Sequence, residues 1–362
     1  MNRAQMRTSA FAAVAVLAGS VLAACGGGTD SAGGNTGGGG GLENAKVAFL
    51  MPDLASTRYE LQDKPLFEAK MKQLCPSCEV IYQNADSDAA KQQQQANSAL
   101  AQGVKAIVID PVDSAAAATI VKSAQSQQVP VIAYDRPIPS TPADYYISFD
   151  NEKIGAMIAQ SLVDHLKAEK AEGGILQVNG SPTDAAAGLI KKGIHSAVDS
   201  SGFKLLAEYD TPDWQPEKAQ TWVSGQITQF KDQIVGVVAA NDGTGGGSIA
   251  AFKAAGVKVP PVTGNDAEVA AAQRIIAGDQ YNTISKPIKI VAEASANVAW
   301  EFMQGKKPAG KSTLYNTPSE LFVPTVVTTD NIKEVLFDSG IMKAAEVCAG
   351  EYAKGCEELG IK

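Results

Sequence analysis

The 362-residue chain has only two histidines, His165 and His195. Each falls inside a helical pattern without a partner at metal-ligand spacing. A histidine-held metal centre is therefore not expected, and both read as helix residues on a surface or lining a lobe. No Gly-x-Ser-x-Gly elbow is present, and no serine or cysteine stands near a plausible base, so nucleophilic hydrolysis has no machinery. The run Asn241-Asp242-Gly243-Thr244-Gly245-Gly246-Gly247-Ser248 lacks the Gly-Lys-Ser/Thr of a P-loop. Ser248 also stands where a dinucleotide fingerprint needs its third glycine. Those glycines more simply let a helix start close to a cleft. Basic residues are outnumbered, 31 to 39, which speaks against nucleic acid or anionic lipid as a partner. Beyond the N-terminus no run is apolar for long enough to span a bilayer. Neither an enzyme nor a cofactor nor a metal is expected.

The apolar run that does stand out is short. Arg3 and Arg7 precede Phe11 to Leu22, which closes on Leu22-Ala23-Ala24-Cys25. It is too short to span a bilayer and ends in small residues, as a signal peptide does, so residues 1–24 are expected to be removed. The segment resembles a bacterial lipoprotein signal, with Cys25 left to carry diacylglycerol. An ordinary signal with a chance cysteine is the plainer alternative. Residues 25–45 form a glycine-rich linker with nothing to bury, and residues 26–43 would reach roughly 20–25 Å as a flexible coil. Two acyl chains anchor stably where one would be marginal. Loss of residues 1–24 removes two arginines and no acid, leaving 29 basic against 39 acidic residues, a net charge of −10.

The other four cysteines fall in close pairs, Cys75 with Cys78 and Cys348 with Cys356. In an exported chain an even count reads first as local disulfides. A redox-active Cys75-Pro76-Ser77-Cys78 is the sharper reading. It is disfavoured because the motif follows a helical pattern and precedes a strand, whereas a low-pKa thiol of that type sits at the start of a helix.

From Lys46 onward short apolar, β-branched runs alternate with helical patterns. The strands expected first are Lys46–Met51, Val80–Asn84, Ala106–Ile109, Val129–Tyr134 and Tyr146–Phe149, with helices such as Leu61–Leu74, Ala89–Gln102 and Ala115–Gln127 between them. The alternation then restarts, with strands at Gly174–Asn179, Lys204–Tyr209, Ile234–Ala240, Pro261–Gly264 and Tyr281–Ser285. The helical patterns there include Ala185–Ser200 and Glu217–Lys231. Such alternation argues α/β architecture, and its restart implies two similar Rossmann-like lobes with parallel sheets. A helix at Val291–Gln304, an irregular piece and a strand at Val323–Thr328 are too few for a third domain. They must complete the two lobes, so the chain crosses more than once. The expected division is 46–149 with 288–320 in the N-terminal lobe, 150–287 with 321–345 in the C-terminal lobe, and 346–362 as a tail.

Polar residues recur at the C-terminal ends of the strands: Asp53, Asp110, Asp135-Arg136, Asp150, Asn179, Asn241-Asp242 and Asn265-Asp266. Any one of them reads as a helix N-cap. So many in both lobes argue a polar cleft, because ligands of open parallel sheets bind outside those ends. Arg136, Asp135, Asp184, Asn241, Asp266 and Lys286 suit a neutral polyol, since each hydroxyl can donate to a carboxylate and accept from a cation. Trp214, and next Tyr59, would cover the apolar face of a sugar ring. The alternative for Trp214 is a lobe-surface residue packed on its own helix.

Several blocks resemble the xylose-binding periplasmic proteins of ABC sugar uptake systems, of the type I periplasmic-binding family. They are Ala133-Tyr134-Asp135-Arg136, Tyr145-Tyr146-Ile147-Ser148-Phe149-Asp150-Asn151-Glu152-Lys153-Ile154-Gly155, Gly180-Ser181-Pro182-Thr183-Asp184, Val237-Val238-Ala239-Ala240-Asn241-Asp242 and Ser285-Lys286-Pro287. The similarity runs from about Lys46 to about Val335. It implies two lobes joined by a three-strand hinge, and a pentose held by Arg58, Asp135 and Arg136 from one lobe. From the other it implies Asp184, Trp214, Asn241 and Asp266, with Lys286 at the second crossing. Two positions depart from the family. Ala185-Ala186 replace asparagines after the aspartate of the Ser-Pro-x-Asp motif, and Tyr59 replaces a tryptophan, which leaves room for another pentose or epimer. The partners implied are a monosaccharide and the permease and ATPase of an ABC importer. They would be served by a monomeric lipoprotein at the cell envelope, on the outer face of the plasma membrane or in the periplasm. An exported sugar receptor for chemotaxis or two-component signalling is the rival reading.

Overall fold

A computed structural model describes residues 42–362; the signal segment, Cys25 and nearly all of the linker lie outside them. The first sheet is built from β1 (Lys46–Met51), β2 (Glu79–Asn84), β3 (Ala106–Ile109), β4 (Val131–Tyr134) and β5 (Tyr145–Phe149). They pair in parallel in the order β2-β1-β3-β4-β5. The four interior strands are buried almost end to end, as strands covered on both faces must be. Helix α1 (Lys64–Leu74) covers one face, and α2 (Ala89–Ala101) and α3 (Ala118–Ser126) the other. Phe49 stacks on Phe67 of α1 at 4.2 Å and meets Tyr134 edge-on at 5.4 Å. Such aromatic pairs add about 0.5–1.5 kcal/mol each beyond their burial.

The chain leaves this lobe through α4 (Asn151–Ala168). The second lobe carries β6 (Gly174–Asn179), α5 (Ala185–Val198), β7 (Lys204–Asp210), α6 (Pro216–Phe230), β8 (Ile234–Ala239), α7 (Asp242–Ala254), α8 (Val269–Ile276) and β9 (Asn282–Ser285). Strands β7, β6 and β8 are parallel. The expected strand at Pro261–Gly264 shrinks to one bridge, Val237 with Val262, and the Tyr281 N–H donates to the Val262 carbonyl at 2.8 Å. The prolines at 260 and 261 lack the donors a longer ladder needs.

Helix α9 (Ile288–Met303) returns to pack on α1 of the first lobe. The irregular piece that follows is a hairpin, β10 (Ser312–Leu314) with β11 (Thr317–Phe322). Its two-residue turn has Tyr315 and Asn316 at φ 49° and 59°, the left-handed pair such a tight turn requires. Strand β11 extends the first sheet beside β5, pairing through Phe322 with Phe149. The first lobe therefore runs to Phe322, two residues past the expected division. The expected strand Val323–Thr328 shortens to β12 (Thr325–Thr328), antiparallel to β9 in the second lobe, because Pro324 interrupts it. The crossings thus number three: β5 to α4, β9 to α9 and β11 to β12.

Residues 346–362 are not a free tail. They include the last two residues of α10 (Ala344–Val347) and all of α11 (Ala353–Glu358), and Val347, Cys356 and Ile361 are buried against Ala272, Ile275 and Val327 of the second lobe. Cys348 and Cys356 lie with Cα atoms 5.8 Å apart and Cys75 and Cys78 with Cα atoms 5.3 Å apart, each pair joined through sulfur. No helix among the described residues is long and apolar enough to cross a membrane.

Candidate functional site

The strand ends of both lobes meet in one cleft. In the first lobe Asp135 follows β4 in the left-handed region, φ 58°, a conformation that persists only where neighbours impose it. The Tyr146 and Ser148 hydroxyls both donate to the Asp135 carbonyl at 2.8 Å. The Asn151 amide in turn donates to both hydroxyls at 3.3 Å. Much of the Tyr-Ile-Ser-Phe-Asp-Asn block thus exists to hold one turn. From that turn Asp135 accepts from Arg58 Nη2 at 2.7 Å. Arg136 turns the other way, donating to Asp53 Oδ2 at 2.8 Å, with Asp110 at 3.3 Å. Arg136 also donates to the Tyr59 hydroxyl at 3.2 Å, while the Arg58 guanidinium lies 4.9 Å from the Tyr59 ring centroid.

The second lobe answers with Asp184, Trp214, Asn241, Asp266 and Lys286. Asp184 caps α5, accepting from the Ala186 N–H at 2.7 Å, and accepts from Trp214 Nε1 at 3.0 Å. Asp213 and Trp214 both adopt left-handed backbone, which turns the indole inward. Its benzo ring packs against Gly180, where a Cβ would overlap it. Trp214 is buried and is not a lobe-surface residue. Asn241 caps α7 through the Thr244 N–H at 2.9 Å, so its oxygen is committed. Lys286 pairs with Asp266 at 2.6 Å. Across the cleft Arg136 Nε approaches Asp184 Oδ2 at 3.1 Å and Arg58 Nη1 approaches Asp266 at 4.0 Å. At the rim Thr57 donates its N–H and hydroxyl to Glu268, both at 3.2 Å, and the Ser114 N–H donates to the Thr183 carbonyl at 2.9 Å. The lobes are closed on each other.

All nine residues singled out from the sequence (Arg58, Tyr59, Asp135, Arg136, Asp184, Trp214, Asn241, Asp266 and Lys286) line one cavity of about 30 Å³. Among the other strand-end residues, Asp53 and Asp110 stand behind it holding Arg136. Asp150 is only a cap of α4, accepting from the Lys153 N–H, and Asn179 bonds within its own lobe to Asp210. Two residues of the site stand outside those nine. Asp63, in the helical turn Tyr59–Asp63, is fully buried behind Arg58 and accepts from Tyr134 Oη at 2.5 Å, and no strand end marks it. Asn265, one of the strand-end residues, lines the cavity itself. The histidines lie elsewhere: His165 stacks on Tyr281 at 4.4 Å and His195 bonds to Glu208 at 3.0 Å.

Burial governs the electrostatics. It raises the Asp63 carboxyl to about 6 against the pull of Arg58. It also raises Asp110 and Asp184, with Arg136 opposing in both. Burial acts the same way on Asp135, but Arg58, Lys286 and Arg136 outweigh it and hold that carboxyl below its usual value. Each of the three cations already faces a carboxylate. The arrangement can bind and orient a neutral, hydroxyl-rich solute; it has no base free to work on one.

Two α/β lobes, three crossings and a polar site at facing strand ends define a hinged solute trap. Residues 47–307 match the family described as periplasmic binding protein domain, and the chain belongs to that family of exported solute-binding proteins, which are not enzymes. The D-xylose-binding periplasmic protein of Escherichia coli is 34% identical over 84% of this chain and 93% of its own. A multiple sugar-binding periplasmic receptor of Rhizobium radiobacter is 29% identical over 84% and 93%. Among solved structures, an ABC transporter solute-binding protein from Clostridium phytofermentans with bound β-D-glucose superposes with a TM-score of 0.75 at 26% identity, over 83% of this chain and 99% of that one.

Proposed function

We propose that the chain is the solute-binding lipoprotein of an ABC importer, capturing a monosaccharide by lobe closure and presenting it to a membrane permease. D-xylose or a related pentose is the substrate. The observation that carries this reading is the convergence of nine side chains from both lobes on one small cavity in which every cation is already paired. An anionic solute would have to displace a carboxylate, whereas a hydroxyl accepts from the cation and donates to the acid without displacing either. The sugar enters when the lobes part, and its hydroxyls take the place of the cross-cleft contacts of Arg136 with Asp184 and Arg58 with Asp266. The Trp214 ring covers a C–H face. Similarity to a D-xylose-binding protein supports the pentose.

Titration calorimetry against D-xylose, L-arabinose, D-ribose and D-glucose tests the reading. Micromolar or tighter binding to a pentose is expected, and binding only to amino acids or peptides would sink it. Cys25 carries the lipid, and Cys25→Ala is expected to release the protein from membranes. The two cysteine pairs are disulfides in the exported protein, and all four thiols should resist alkylation until reduced. Gel filtration should show a monomer.

A further inference from the structure

We infer that Asn265 is a ligand-reading residue, its carboxamide engaging an adjacent pair of hydroxyls as acceptor to one and donor to the other. The inference rests on the sugar-binding reading. Asn265 is 2% exposed and lines the cavity beside Asp266 and Lys286. Its Oδ1 is buried without a hydrogen-bond partner. Of the cavity-lining residues only Arg58, through Nη1, shares that condition among the described residues. A buried amide left unpaired is costly, and native proteins seldom keep one without a reason.

The backbone around Asn265 is by contrast anchored at three points. Its carbonyl accepts from the Asp242 N–H at 2.9 Å, the Asp266 N–H donates to the Ile284 carbonyl at 3.1 Å, and the Ala267 N–H donates to Thr283 Oγ1 at 3.1 Å. Asp266 and Ala267 have φ of 105° and 48°, a strained pair that such anchoring sustains. The carboxamide is therefore held in place by main chain while its polar atoms stay uncommitted, unlike those of Asn241, whose oxygen caps α7. A carboxamide presents an acceptor and a donor side by side, which matches vicinal hydroxyls of a polyol better than a carboxylate or an ammonium.

The test uses the near-isosteric Asn265→Leu and the tightest binder among the titrated sugars, together with its monodeoxy analogues. The variant should bind the parent sugar about ten- to a hundredfold more weakly, the loss expected when hydroxyls lose a buried partner. Its loss relative to the wild type should be smaller for an analogue lacking one of the two hydroxyls that Asn265 reads. The sugar-free melting temperature should hold or rise, because no protein hydrogen bond of the side chain is lost. Wild-type affinity for the parent sugar, an equal loss for every analogue, or a lowered sugar-free melting temperature would overturn the assignment alone. A wild-type protein that binds no monosaccharide overturns the sugar reading and this assignment with it.

Discussion

Replacing Arg136 with methionine probes the charge balance on which the site rests. Arg136 is 5% exposed and its guanidinium serves Asp53 at 2.8 Å, Asp184 at 3.1 Å and Asp110 at 3.3 Å, each of them buried. Methionine keeps most of the volume and removes the only cation among these carboxylates. Stripping one partner from a buried pair costs about 3–5 kcal/mol, because the remaining charge is left desolvated. Asp110 and Asp184 are already pushed up by burial with Arg136 opposing, so losing Arg136 drives both higher. Their folded pKa values then lie above the unfolded ones. The stability deficit is accordingly absent below the unfolded carboxylate pKa of about 4 and grows as pH rises through the folded values. Denaturant melts of the sugar-free variant at pH 5 and pH 8 should show the larger loss at pH 8. A loss under about 1 kcal/mol at pH 8, or one equal at both pH values, would refute the argument.

Other expectations follow from the same geometry. Asp266→Ala should abolish sugar binding while the circular dichroism spectrum stays native; a variant with wild-type affinity would remove Asp266 from the site. Glu268→Ala removes the acceptor of both Thr57 bonds across the cleft. Glu268 does not line the cavity, so the change should speed sugar release in stopped-flow displacement by about two- to tenfold, the worth of a partly exposed hydrogen bond; an unchanged rate would show that the rim does not hold the lobes closed. Burial lifts Asp63 to about 6, and burial with Glu268 nearby lifts Asp242 to about 7. Both are raised carboxyls, so the stability they favour is complete below about pH 4 and is lost as pH climbs through 6 and 7. Thermal melts should therefore show a more stable protein at pH 5 than at pH 8, and a flat profile would contradict those shifts.

Much of the site was legible because its residues stand where a repeating pattern puts them. A strand of four to six apolar residues followed by a polar one is a local signal, and ten of the twelve strands are visible in some form as apolar or β-branched runs. The hairpin of β10 and β11 was not, since Tyr315-Asn316 is a weak turn signature and the strands are short and half exposed. Its burial comes from a neighbour in sequence far away, β5. Asp63 was hidden for a related reason. Nothing in Tyr59-Glu60-Leu61-Gln62-Asp63 separates an exposed helical acid from one folded under Arg58. Residues 346–362 read as a tail because their few apolar positions make sense only against α8 and β12.

What the sequence determined by itself is the alternation: which stretches are strands, which are helices, that the pattern runs twice, and that polar residues collect at one end of each strand. Periodicity and capping are local properties, so one chain suffices to read them. Tertiary structure alone decided how those ends are shared out. The same local motif makes Asp150 a simple cap, Asp184 a cap that also holds Trp214 and faces Arg136, and Asn265 a buried amide with no protein partner. That difference arises because hydrogen-bond satisfaction depends on which groups two separate lobes bring within 3 Å or so of one another, and no spacing along the chain encodes it.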